Sequence, residues 1–191
     1  MDSDQAAIFR SLLLGSNWIE RTDDFAGAMR SATRRADGLM LLGTPEHEPW
    51  HLAAHLDDEA DLSGAVDLRP TLLRWAPPPD APPHLSFGID RLKELRRGEP
   101  LLIVAEGIAQ PSMLERIDDA RRAGGRIFTL GEKDRELSQL AHESLMIDDG
   151  VPDLVTLDLA EHLLSMSAAA AESMRGWRGS LRRLLDRVSG P

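Results

Sequence analysis

A chain of 191 residues without cysteine excludes thiol catalysis, disulfides and cysteine-held zinc, and it is long enough to bury a core as one domain without such staples. A formal charge of −10 argues against general affinity for nucleic acid, whose phosphates demand clustered positive charge. No stretch approaches the eighteen or so apolar residues of a membrane span, and the acidic opening MDSDQAAIFRSLLL lacks the basic region of a secretory signal, so a soluble, cytoplasmic protein is expected.

In chain order, residues 4–20 (DQAAIFRSLLLGSNWIE) and 22–35 (TDDFAGAMRSATRR) carry helix-spaced apolar positions behind acidic starts. DGLMLLG (37–43) suits a buried strand, EPWHLAAHLDDEADL (48–62) returns to helical period, and PTLLRWA (70–76) is a second strand. PPPDAPP (77–83) is a stiff polyproline-type loop that cannot enter a sheet. Then follow helix 84–97, strand 100–105, helix 111–123, strand 126–130, helix 134–142 and strand 143–148. A long helix over about 153–175 leads into the basic tail RGWRGSLRRLLDRVSGP.

Short apolar strands alternating with helices predict an α/β fold: a three-layer αβα sandwich with a five-stranded parallel sheet, preceded by an N-terminal helical hairpin. The single domain 1–191 divides into N-terminal helices (1–36), an α/β core (37–150) and a terminal helix with its tail (151–191). Ligands of such folds sit at the carboxyl ends of the strands near a topological switch point, which directs attention to the loops at 43–50 and 105–112. EKDRE and HLDDEADL read as solvated charge runs. Trp18, Trp50, Trp75 and Trp177 read as core or interface residues. The tail reads as a surface helix packed through Leu181, Leu184, Leu185 and Val188, with a membrane surface or partner groove as the alternative.

LLIVAEG, followed by RIDDARRAGG and RIFTLGEKDRELSQLAHESLMI, resembles the sugar isomerase (SIS) domain without a gap, and GLMLLG with WHLAAHL is a second match. The resemblance covers roughly residues 37–65 and 100–165 and is nearest to the phosphoheptose isomerase branch. It implies a homodimer or higher oligomer formed through the N-terminal and terminal helices, for which the apolar faces of 4–20 and 153–170 are available.

The same resemblance exposes departures. Where the family carries Ser-Thr-Ser-Gly-x-Ser to grip phosphate at a helix N-terminus, this chain has Ala105, Glu106, Gly107, Ile108, Ala109 and Gln110, leaving Ser112 as a possible cap. The family's Asn-Gly-Gly-Ser is replaced by the shorter TPEHEP, bearing Glu46 and Glu48. Both loops are acidic and short of donors. Gly43, Thr44, Glu106, Gly107, Gln110 and Ser112 are the candidate ligand contacts, for a small ligand that is neutral or cationic.

HEPWHLAAH sets His47, His51 and His55 at i, i+4 and i+8, and histidines at i, i+4 are a standard zinc spacing. By resemblance, His51 and His55 match a histidine and a glutamate of the family's metal and acid–base centre. The positions of its terminal-helix ligands match Ala160 and Ala168, with Glu161 and His162 beside the first. Three readings stand: hydrogen-bonded histidines at the core edge without metal, surface histidines with no role, or a zinc or other divalent site of His51, His55, Glu161 and His162 in which His55 and Glu161 are catalytic.

Three functions follow as expectations. The first is an SIS-fold binding or regulatory module that has lost phosphosugar isomerase activity and needs no cofactor. The second is a divergent metal-assisted isomerase using His51, His55 and Glu161. The third is a structural oligomer whose pocket is closed.

Overall fold

The computed structural model describes residues 17–35, 38–147 and 155–169. The first expected helix up to residue 16, the end of the terminal helix beyond residue 169, Trp177 and the basic tail lie outside the described residues.

Helix α1 (Trp18–Ala32) buries Trp18, Thr22, Phe25, Ala26, Met29 and Ala32 along one face. The break expected near residue 21 is inside this helix. Thr22 is buried and its hydroxyl donates to the carbonyl of Trp18, one turn back, so the polar cluster Glu20-Arg21-Thr22 continues the helix. Strand β1 (Leu39–Gly43) leads through a loop into α2 (Trp50–Ser63), which stops at Gly64 in the left-handed conformation (φ 74°). Strand β2 is Pro70–Leu73.

The helix expected over 84–97 is absent; two short 3-10 turns, Pro83–Leu85 and Ile89–Glu94, take its place. The cause is non-local. Arg74 bridges to Gly88, its N–H donating to Phe87 and its carbonyl accepting from Ile89, so the backbone is held extended at Gly88 beside β2 and the helix is broken there.

Next come β3 (Pro100–Ala105), α3 (Pro111–Arg122), β4 (Arg126–Glu132), α4 (Arg135–Leu140), β5 (Glu143–Ile147) and α5 (Leu157–Ala169). All strand pairs are parallel, in the order β2-β1-β3-β4-β5. The winding reverses between β1 and β3, where Gly43 pairs with Val104, and the loops leaving these two strands flank the switch-point crevice.

Because side chains alternate along a strand, the apolar runs feed two cores. Leu39, Leu41, Leu102, Val104, Phe128 and Leu130 pack against α1, α2 and α5, with Phe25 edge-on to Phe128 at 5.5 Å. Met40, Leu42, Leu101, Ile103 and Ile127 pack against Met113, Ile117 and Leu137 of α3 and α4 and against Ile89 and Leu92. The α/β architecture with a five-stranded parallel sheet covered on both faces is as the strand–helix alternation predicts. Among the described residues, no helix is long and apolar enough to cross a membrane.

Candidate functional site

The β1–α2 loop folds back on the strand it leaves. Gly43 makes this possible: a Cβ there would meet the carbonyl oxygen of His47 at 1.9 Å and Cδ of Pro49 at 2.6 Å. The Gly43 carbonyl accepts from the indole N–H of Trp75 (2.9 Å). Thr44 is buried, and both its hydroxyl and its carbonyl oxygen accept from the N–H of His47 (3.1 and 3.2 Å). Glu48 accepts from the Trp50 indole (2.9 Å) and pairs with Arg74 (2.9 Å), whose guanidinium lies over the Trp50 ring. Gly43 and Thr44 thus serve the loop's own geometry.

Across the crevice, Gly107 takes the left-handed conformation (φ 73°) that turns the chain after β3. The N–H of Ala109 donates to Asp134 Oδ2 (2.8 Å), while the other oxygen of that carboxylate accepts from Glu136 and Leu137 and caps α4. Asp134 is buried, so the expectation of a solvated EKDRE run is corrected at its central residue: the cap and the neighbouring turn draw it inward. Helix α3 starts at Pro111 behind Gln110 with no side-chain cap. Ser112 is exposed in the first turn of that helix rather than at the capping position.

Three contacts cross the crevice from the β1–α2 loop, two to the turn after β3 and one to α5. Gln110 Nε2 donates to Glu46 Oε1 at 2.8 Å. His47 lies with Nε2 3.2 Å from Glu161 Oε1 and Nδ1 3.6 Å from Glu106 Oε2. The His47–Glu161 approach is at hydrogen-bond distance, whereas the His47–Glu106 approach is too long for one. Glu161 enters from α5 with its side chain 2% exposed, while that of Glu106 is 65% exposed. Burial pushes the Glu161 carboxyl above its ordinary range; the His47 hydrogen bond and charge pull it back, Asp158 adds to the rise and His51 opposes it.

His47 is therefore not on the helical face with His51 and His55, because α2 begins only at Trp50. His55 meets His162 instead, their ring centroids 3.9 Å apart, and His51 lies farther along at 6.4 Å from His55. Desolvation lowers the His162 pKa, and His55 and His51 add to the shift while Asp158 opposes it. Of the expected residues, Glu106, Gln110 and Glu161 converge on the crevice, and His51, His55 and His162 gather between α2 and α5. Among the described residues, no group of three or more His, Asp or Glu side chains is placed to share a metal ion. His47 was overlooked as a site residue. Its signal is its position, two residues past a strand-end Gly-Thr-Pro at the carboxyl edge of β1.

No protein-family model matches the chain, and neither does any curated protein. Solved structures do. The sugar isomerase domain of an RpiR transcription factor from Sphaerobacter thermophilus aligns with a TM-score of 0.51 at 16% identity, covering 93% of this chain and 96% of that one. A candidate phosphosugar isomerase from Silicibacter pomeroyi DSS-3 aligns with a TM-score of 0.54 at 15% identity, covering 96% of this chain and 52% of that one. At these identities the likeness establishes architecture: the chain has the fold of a sugar isomerase (SIS) domain.

Proposed function

We propose that this SIS-fold chain is a binding or regulatory module that no longer grips a sugar phosphate, and that it stands nearest the phosphoheptose isomerases, with both phosphate loops degenerate. One observation carries the reading: in the turn after β3, the Ala109 N–H is held by the Asp134 carboxylate. An N–H already bonded to one anion is not free for another, and Glu106 adds a second carboxylate to the same turn. At about 4 Å, like charges cost roughly 1–4 kcal/mol between bulk water and a protein surface. A ligand of this crevice is accordingly neutral or cationic. Oligomers would form through the N-terminal and terminal helices, the described parts of which, α1 and α5, pack on each other.

Thermal-shift measurements with heptose and hexose phosphates test the reading. No stabilisation is expected, and a concentration-dependent rise in melting temperature refutes it, because a ligand that binds only the native state must stabilise it.

A second reading, a divergent metal-assisted isomerase, is favoured by one feature: the buried Glu161 carboxyl against His47, beside His51, His55 and His162. Near-stoichiometric zinc in the purified protein, lost in a His51→Ala/His55→Ala double variant, would establish it. Metal-free wild type that keeps its melting temperature in chelator would instead leave the binding module or the closed structural oligomer.

A further inference from the structure

Glu46 and His47 are successive residues of one loop, and both side chains bridge the switch-point crevice. Glu46 takes the carboxamide N–H of Gln110, and the two ring nitrogens of His47 address Glu161 and Glu106. The rest of the loop is tied to its own side: Gly43 to Trp75, Thr44 to the His47 N–H, and Glu48 to Trp50 and Arg74. The loop is thus firmly rooted at both ends and meets the opposite wall through two side chains at its crest.

We infer that the 44–49 loop is an autoinhibitory strap, in which Glu46 and His47 occupy the polar groups of Gln110 and Glu161, beside the exposed Glu106, that a ligand in the crevice has to use. The inference rests on the binding-module reading and states how that module is controlled. An entering ligand replaces the loop as partner to one carboxamide donor and the Glu161 carboxylate, with the Glu106 carboxylate alongside. It must therefore bring hydroxyl or ammonium donors, together with an oxygen that accepts from Gln110. A polyhydroxylated amine meets this requirement, whereas a phosphorylated sugar sets its anion against Glu106. The contacts are separable. Gln110–Glu46 is exposed and its loss opens one side, while His47 keeps the buried Glu161 in register.

Hydrogen exchange on the full chain tests the strap without any ligand. Glu46→Ala and His47→Ala should each speed exchange at 44–49 by about tenfold, equivalent to about 1.4 kcal/mol of local closure, while amides of β1, β3 and β4 keep their protection. Because His47→Ala also strips the partner from Glu161, Gln110→Ala serves as a second variant that leaves the buried carboxyl untouched and should open the same segment. Unchanged exchange at 44–49 in both Glu46→Ala and Gln110→Ala overturns the strap, and so does faster exchange spread through the sheet.

The ligand arm uses glucosamine against glucose 6-phosphate in thermal shift. The expected result is a larger rise with glucosamine in Glu46→Ala than in wild type, and none with the phosphate. A loop that opens as described while glucosamine shifts neither protein overturns the strap as a control of ligand entry, whereas a rise with glucose 6-phosphate overturns the binding-module reading, so the two fail separately.

Discussion

At the level of single residues, the crevice is shaped by what Gly43 lacks, and the far end of the sheet by what Glu99 holds. A methyl group at residue 43 would lie within bonding distance of the His47 carbonyl, so Gly43→Ala must push the loop off β1. The expected loss is about 1–3 kcal/mol, the usual range for overpacking, read as a lower melting temperature together with faster exchange at 44–49. Glu99 sits at the opposite end of the sheet, just before β3. Burial acts to raise its pKa, but the hydrogen bond from Arg35 and the N–H of Arg96 outweigh it, and the carboxyl is held below its ordinary value of 4.5. A depressed carboxylate contributes stability that is complete above its unfolded pKa and is lost as pH falls through that value towards the folded one. Acid unfolding of wild type should therefore steepen below about pH 4.5, and Glu99→Gln should flatten that limb, as followed by circular dichroism across pH 3–6.

At the level of elements, Asp134 and Phe128 carry the most. Asp134 caps α4 and holds the turn after β3 with the same carboxylate. Its replacement by alanine removes a cap worth about 1–2 kcal/mol and leaves the buried Ala109 N–H unsatisfied at a further cost of about 1–3 kcal/mol. Chemical denaturation of Asp134→Ala should show the sum, well beyond an ordinary cap deletion. Phe128 is fully buried in β4 against Phe25 of α1. Phe128→Ala should cost about 3–5 kcal/mol and loosen α1 from the sheet, a change that exchange across residues 18–32 would report.

The same scale shows what could be read in advance. LMLLG, PLLIVA and RIFTLGE are short apolar runs bounded by glycine, proline or charge, and each is a central strand. The run SMLERIDDARR with its Gly-Gly stop gave α3 almost to the residue, because local propensity, period and stop signal agree there. The misses are places where distant contacts decide. Residues 84–97 look helical but pair by backbone with Arg74, which no local pattern reveals. Glu161 faces inward because the packing of α5 on α1 and α2 sets its rotation. The His47–Glu161 contact spans 114 positions of sequence, and neither residue foretells the other.

For the whole molecule, an SIS-like fold frames a crevice whose lining groups bind one another. Architecture and local chemistry are separable here, since the two cores lie on the sheet faces and the 44–49 and 106–110 residues lie in loops at its edge. The double duty of Asp134 has an evolutionary consequence. A chain drifting towards anion capture would first have to release the Ala109 N–H, and the change that releases it also unseats the start of α4. Removing Glu106 alone brings little, because the amide stays engaged. Each single step is either damaging or neutral, so anion capture at this turn is reachable only through paired substitutions, and this epistasis makes the present state hard to leave.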